Sequence, residues 1–258
     1  MFVTTSARTN PDETNKAKQV AMTLNLPFLH RRKRTIKSMV NQYETNGIVV
    51  GKERMELYKV GEERPFFFHP SSAMFRLKRL QKGEHDPLIE ICQLKAGSSF
   101  LDCTLGLASD SIVASYAVGE TGKVIGLEAS KVIAYFVGQG LKEWPNDNVI
   151  MKNSMERIEV VHDLAIDYLK SVPDSSFECV YIDPMFETTI KESSNINALH
   201  SITYKGDLTD EMIIEAKRVS KERVVLKDHF RSERFQAFAF QQIKRKSAKF
   251  HYGVWEKR

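Results

Sequence analysis

The chain of 258 residues is 42% hydrophobic and 28% charged, with a formal net charge of +5 at neutral pH. With a mean hydropathy of −0.35, this is the composition of a soluble globular protein with a sizeable core, which excludes global disorder and a small disulfide scaffold. No apolar run approaches the ~18–20 residues of a membrane span, and the N-terminus lacks the charged-then-apolar order of a secretory signal, so a cytoplasmic location with no membrane partner is expected.

Residues 1–29 predict a short strand at Phe2-Val3-Thr4-Thr5, a polar turn at Asn10-Pro11-Asp12, and an amphipathic helix with Ala17, Val20, Ala21 and Leu24 on one face. After the basic run His30-Arg31-Arg32-Lys33-Arg34, three short strands are expected at Ile48–Val50, Met55–Val60 and Pro65–His69. The span from Ser72 to Leu94 is helical in pattern and leads to a boundary at Lys95-Ala96-Gly97. Residues 1–94 are thus expected to form a small mixed, basic N-terminal domain, and residues 95–258 the main domain. From there strand runs at Ser99–Cys103, Lys123–Leu127, Asn148–Met151, Glu178–Ile182 and Arg223–Leu226 alternate with helical stretches. That alternation specifies an α/β fold with a Rossmann-like, doubly wound and mostly parallel sheet. Residues Phe238–Lys246 and Ala248–Trp255 are expected to close it with a C-terminal antiparallel hairpin.

Cys92, Cys103 and Cys179 are odd in number and match no CxxC-type spacing, and no two histidines share a helical face as in HExxH. Buried reduced thiols and no structural metal are expected. Charge is segregated along the chain. Residues 1–97 carry 17 Lys and Arg against 10 Asp and Glu, residues 98–216 carry 8 against 19, and residues 217–258 carry 13 against 4. Basic flanks around an acidic centre suit a protein that grips a polyanion around a central pocket, and solvated surface faces give the same pattern. The densest clusters are His30–Arg34, then Arg76, Lys78, Arg79 and Lys82, then Lys244-Arg245-Lys246.

In an open α/β sheet ligands bind beyond the carboxyl ends of the strands, so the residues closing each strand carry the chemistry. The first strand of the main domain ends in Asp102-Cys103-Thr104-Leu105-Gly106-Leu107-Ala108-Ser109-Asp110. A single glycine, Gly106, is far from the GxGxxG that brings a backbone up to a pyrophosphate, so NAD and FAD are not expected. Asp102 and Asp110 at that turn repel phosphate but suit an ammonium group and hydroxyls, and the methionine amine and ribose of S-adenosylmethionine fit that description. Glu128, closing the second strand before Ala129, is placed to accept from both ribose hydroxyls. Asn153 and Ser154, after the expected third strand, offer polar groups to an adenine edge. Asp183-Pro184-Met185-Phe186 closes the fourth. An exocyclic amine on an aromatic base is a poor nucleophile because its lone pair is delocalised into the ring. The Asp183 carboxylate and the Pro184 carbonyl are suited to accept its protons, and Phe186 to stack on the base.

Taken together, Asp102-x-Thr104-x-Gly106-Leu107-x-x-Asp110, Leu127-Glu128 and Asp183-Pro184-Met185-Phe186 resemble the class I S-adenosylmethionine-dependent methyltransferases, and more narrowly the small-subunit ribosomal RNA guanine-N2 methyltransferase family. The resemblance runs from about Phe66 to the C-terminus. It implies S-adenosyl-L-methionine as cofactor, a cofactor loop at Asp102, Thr104 and Gly106, and cofactor contacts from Ser109, Asp110, Glu128, Ala129, Asn153, Ser154 and Asp183. It also implies Asp183, Pro184 and Phe186 at the reacting amine, and RNA as partner. Two stretches depart from the family pattern: Ala108-Ser109 replaces a glycine-basic pair, and Glu187-Thr188-Thr189-Ile190-Lys191 replaces one containing proline and lysine. Two rivals remain. A methyltransferase for a protein or small-molecule amine has no need of the basic flanks, and a catalytically silent RNA-binding protein with the same fold is opposed by the intact Asp110, Glu128 and Asp183.

Overall fold

A computed structural model describes residues 1–145, 147–184 and 208–257. The chain divides into two compact units, one formed by Met1–Phe68 and the other holding the described residues from His69 onward. The first unit is built on β1 (Phe2–Thr5), α1 (Pro11–Leu24), α2 (Ile36–Tyr43), β2 (Gly47–Val50) and β3 (Met55–Tyr58). β1 pairs in parallel with β2, and β2 antiparallel with β3. Asn10 caps α1 by accepting the Glu13 N–H at 2.8 Å, with Pro11 in the first turn, which stops and starts the chain where its propensities are strongest. Ala17, Val20, Ala21 and Leu24 are the buried face of α1, as their spacing requires. The strand expected at Pro65–His69 reduces to a single bridge between Phe66 and Leu57; Pro65, with no N–H, cannot extend a ladder.

The second unit opens with α3 (Ser71–Gln81) and α4 (Pro87–Cys92). Sequence periodicity had suggested one helix over Ser72–Leu94. Gly83, at φ 80°, follows the end of α3, and Asp86 starts α4 by accepting the Leu88 N–H. Both helices pack on α5 (Ser109–Val118). The units therefore part between Phe68 and His69 instead of at Leu94, because these two helices belong to the core of the larger unit.

That core is a sheet of seven strands: β4 (Ser99–Asp102), β5 (Lys123–Glu128), β6 (Ile158–His162), β7 (Phe177–Ile182), β8 (Ser220–His229), β9 (Gln241–Ile243) and β10 (Phe250–Glu256), in the order β6-β5-β4-β7-β8-β10-β9. β4 to β8 run parallel. β10 lies antiparallel to β8 and to β9, so the C-terminal hairpin is present, with its second strand inserted inside its first. Leu101, Ile125, Val180 and Val224 fill the sheet centre and are buried. The remaining helices among the described residues are α6 (Lys131–Glu143), α7 (Val149–Glu156), α8 (Ala165–Ser171), α9 (Asp210–Val219) and α10 (Arg234–Ala237).

One strand was misplaced by the sequence pattern. Asn148–Met151 belongs to the start of α7, where Asn148 accepts the Met151 N–H as helix cap, and Val149 and Ile150 are exposed. The third parallel strand is β6, which begins directly after α7. The fold brings the carboxyl ends of β4, β5, β6 and β7 side by side, since Asp102 pairs with Gly126 and Tyr181, and Glu128 with His162.

At that edge the chain after β4 folds over β5: Leu105 donates its N–H to the Leu127 carbonyl at 2.9 Å, and its side chain lies where a Cβ on Gly126 would go. Gly126→Ala should therefore displace the turn and cost about 1–3 kcal/mol by overpacking. Gly138 lies within α6 and has ordinary van der Waals space for a Cβ against Val160; Gly138→Ala should stabilise by about 0.5–1 kcal/mol. Urea unfolding midpoints of the two variants should move in opposite directions.

Candidate active site

The turn after β4 is organised by Asp102. Its Oδ1 accepts from the Thr104 N–H at 2.9 Å and the Thr104 hydroxyl at 3.3 Å, and its Oδ2 from the Ser111 hydroxyl at 2.6 Å. All these donors are neutral. Burial thus dominates and pushes Asp102 up to about 7 against these hydrogen bonds, with the negative charges of Asp110 and Asp183 adding to the rise. Asp102, expected at the cofactor, has both oxygens engaged in shaping the loop. Gly106 and Ala108 stand in that loop at φ 49° and 59°. The first is a natural left-handed position, and the second carries a Cβ there at a cost of about 1–2 kcal/mol. Ser109 and Asp110 follow as the first residues of α5.

Asp110 is the centre of a buried charge network. Its Oδ1 accepts from the Arg76 guanidinium at 2.5 Å, and its Oδ2 from the Tyr181 hydroxyl at 2.8 Å and Lys227 Nζ at 3.0 Å. Arg76 also grips Asp86 through two bonds of 2.7 Å, the bidentate fork that guanidinium and carboxylate favour. Although burial raises its pKa, Lys227 and then Arg76 outweigh that effect and hold Asp110 well below the usual carboxylate range. Asp110, for which the resemblance implies a cofactor contact, has oxygens that serve an arginine, a lysine and a tyrosine.

Lys227 joins this network to Asp183. Its Nζ lies 2.6 Å from Asp183 Oδ2, and the Asp183 N–H donates to the Thr104 hydroxyl at 2.7 Å. Burial raises Asp183 to about 6, Lys227 opposes the rise, and the Asp110 charge adds to it. Asp183 is a quarter exposed, with Pro184 next to it at the strand end, while Met185 and Phe186 lie outside the described residues. Glu128 closes β5 and accepts the Ser130 N–H at 2.8 Å and the Gly106 N–H; burial raises its pKa against these two bonds. Ala129 follows, its carbonyl within 3.2 Å of His162 Nε2.

Asn153 and Ser154 are not at this edge. They lie in α7, which leads into the amino end of β6, and the Ser154 hydroxyl is buried and donates to the Ile150 carbonyl. The residue that closes the third strand is Asp163, half-buried after His162. Sequence reasoning missed it by misplacing the strand. It also missed Arg76 and Lys227 as site residues; Arg76 stood only in a basic cluster, and Lys227 only at the end of the strand run Val224-Val225-Leu226-Lys227 that the family resemblance includes. All three cysteines are free and buried.

This set of groups suits S-adenosylmethionine: carboxylates end successive strands, for hydroxyls and an ammonium, beside a turn with one left-handed glycine instead of a glycine-rich phosphate cradle. The sheet order and this edge define a class I S-adenosylmethionine-dependent methyltransferase. Residues 31–253 match the family described as "Putative SAM-dependent methyltransferase", and the chain belongs to it. It is 44% identical over 254 residues to the uncharacterized protein YpiP of Bacillus subtilis, spanning 98% of both chains. It is also 26% identical over 203 residues to ribosomal RNA small subunit methyltransferase J of Aeromonas salmonicida, covering 74% of this chain and 80% of that one. Its fold is shared with the SAM-dependent methyltransferase NGO1261 of Neisseria gonorrhoeae at a TM-score of 0.65 and 16% identity, over 99% of this chain and 96% of that one. The cofactor is S-adenosyl-L-methionine.

The raised pKa of Asp102 has a stability consequence. A carboxyl near 4 when unfolded and near 7 when folded favours the folded state below about pH 4, and that contribution is lost as pH rises through about 7. Asp102→Asn keeps the shape without the charge, so it should remove this part of the decline between pH 4 and 8. Urea midpoints across that range that change in parallel for wild type and variant would show Asp102 to be ionised throughout.

Proposed function

We propose that the protein methylates an exocyclic amino group of a nucleobase in RNA, with guanine N2 of small-subunit ribosomal RNA as the favoured target. The observation that carries this reading is a basic and aromatic surface at the same sheet edge as Asp183. β10 runs antiparallel to β8 and begins at Phe250, opposite His229 at the end of β8. The turn between β9 and β10, with Lys244, Arg245, Lys246 and Lys249, therefore projects beyond the carboxyl ends of the parallel strands. Arg245 lies over the rings of Phe250 and Tyr252 at 5.1 and 5.7 Å, and Lys227 over Phe250 at 4.9 Å. Cations for phosphates and rings for bases thus extend outward from the lysine that holds Asp183. Relatives named as ribosomal RNA methyltransferases support the same reading.

In this mechanism the bound cofactor supplies an electrophilic methyl group on a sulfonium. Glu128 would accept from the ribose hydroxyls, and Asp163 would serve the adenine edge. The Ser109–Asp110 start of α5 and the Asp102–Gly106 turn shape the remainder of the cofactor site. Asp183 and the Pro184 carbonyl accept from the target N–H groups, which localises the nitrogen lone pair and aligns it for in-line attack. Lys227 fixes the Asp183 carboxylate in place while its second oxygen remains for the amine. Phe186, by its position in the sequence, follows as the stacking residue. A base in a structured RNA has to leave its stack to reach this edge.

Ribosomal RNA from a strain lacking the protein should lose one methylated nucleoside by mass spectrometry, restored by the wild-type gene and not by one encoding Asp183→Ala. An unchanged set of modifications would reject the ribosomal target. With purified protein, Asp183→Ala should reduce methyl transfer on the order of 10²–10⁴-fold. Because the ionised carboxylate is the acceptor and its pKa is raised to about 6, kcat should increase from pH 5 to pH 7 and level off above. A rate that falls over that interval would contradict the role given to Asp183.

A further inference from the structure

The N-terminal unit contains a second candidate site that the methyl-transfer chemistry does not use. β1 ends at Thr5 and is followed by Ser6, Ala7 and Thr9 before α1 begins. The chain leaving α1 returns beside β1, with the Leu29 N–H donating to the Val3 carbonyl and Phe28 bridged in parallel to Val3. Two parallel segments therefore end side by side, and their continuations enclose a cavity of about 430 Å³ lined by Thr5, Ser6, Thr14, Phe28 and the run His30–Lys33. Among the described residues no carboxylate lines it. Glu13, nearby, is turned toward the Ser6 hydroxyl and the Asn10 amide.

The basic run is built so that its members differ. Arg34 is a clamp: it reaches the carbonyls of His30 and Arg31, the Gln42 amide oxygen and the Tyr43 hydroxyl. Arg31 is pinned by the carbonyls of Thr5 and Arg34, which orient its guanidinium without neutralising it. Arg32 and Lys33 form the tip. Both are exposed, neither has a hydrogen bond or ion pair among the described residues, and both hold left-handed backbone at φ 45° and 63°. Glycine fits such positions at no cost, whereas two long side chains there cost about 1–2 kcal/mol each. A strained turn presenting two uncompensated cations beside a cavity is arranged for an anion.

We propose that this cavity anchors one nucleotide of a single-stranded RNA segment, with its phosphate on Arg31, Arg32 and Lys33 and its base against Phe28. The volume accommodates one nucleotide, the cations match a phosphodiester, and the Phe28 ring, edge-on to His30 at 5.0 Å, supplies the stacking surface that single strands use without sequence preference. This inference rests on the RNA reading of the active site and adds a second point of attachment, on the unit that carries none of the methyl-donor residues.

The test is the double variant Arg32→Gly/Lys33→Gly in the full-length protein, titrated against a fluorescent single-stranded RNA decamer at several salt concentrations. Since glycine relieves the backbone strain, the variant should unfold at the same or a higher temperature than wild type. Its RNA affinity should nevertheless fall about tenfold at low salt, and the slope of log affinity against log salt should flatten by about 1.4 for two lost contacts. Stabilisation by S-adenosyl-L-methionine should be unchanged. Wild-type affinity and slope in the glycine variant, together with loss of binding in Lys244→Ala/Arg245→Ala/Lys246→Ala, would overturn the anchor and leave the RNA reading intact. Absence of RNA binding by the wild type would overturn both. Thermal stabilisation of the wild type by adenosine monophosphate, without RNA binding, would replace the strand with a free nucleotide.

Discussion

The structure depends on compensation of the carboxylates that close its parallel strands. Lys227 is the pivot, because one ammonium group bridges Asp110 at the start of α5 and Asp183 after β7. The bridge requires the sheet register. Ile182 pairs with Leu226, so the residues one step further, Asp183 and Lys227, emerge side by side and on the same face as Tyr181. A slip of one residue between β7 and β8 would send Lys227 to the opposite face, leaving Asp183 beside Asp110 without its cation and Asp110 with Arg76 alone. Strand pairing and the charge network are thus one constraint, and the apolar runs that set the register also set the position of Asp183.

Three aspartates at this edge show how partners decide protonation. Asp102 is met by hydroxyls and an amide and is raised toward neutral pH, Asp110 is met by two cations and stays ionised, and Asp183 lies between, with one cation and a neighbouring anion. Buried ion pairs are weak contributors to stability, since well-packed apolar groups often do as well. The Arg76-Asp110-Lys227-Asp183 network therefore finds its rationale in the site. It keeps one carboxylate oriented and chargeable at the carboxyl edge of the sheet, and it fastens α3, through Arg76, to α5.

Much of this was legible in the sequence. The β-α alternation, the terminal hairpin and the residues closing β4, β5 and β7 follow from apolar runs bounded by charges. The failures have local physical causes. Val149-Ile150-Met151 resembles a strand, yet Asn148 caps it as a helix and its two β-branched side chains face solvent. The true strand, Ile158–His162, lies at the sheet edge, where half-burial dilutes its apolar pattern. Arg76 and Lys227 were invisible as site residues because their partner Asp110 lies 34 and 117 residues away along the chain, and charge counting cannot tell a solvated lysine from a buried one.

Ala108 illustrates a constraint that composition conceals. The left-handed region favours glycine, yet this chain places alanine there, at φ 59°. The conformation survives because it is held from both sides: the Ala108 N–H donates to the Leu105 carbonyl, and the Ala108 carbonyl accepts the Ile112 N–H to start α5. Leu105 is itself fixed to β5 by the Leu127 carbonyl and by the space above Gly126. A glycine in the neighbouring strand thus makes room for this turn, which keeps its shape by being packed down onto β5.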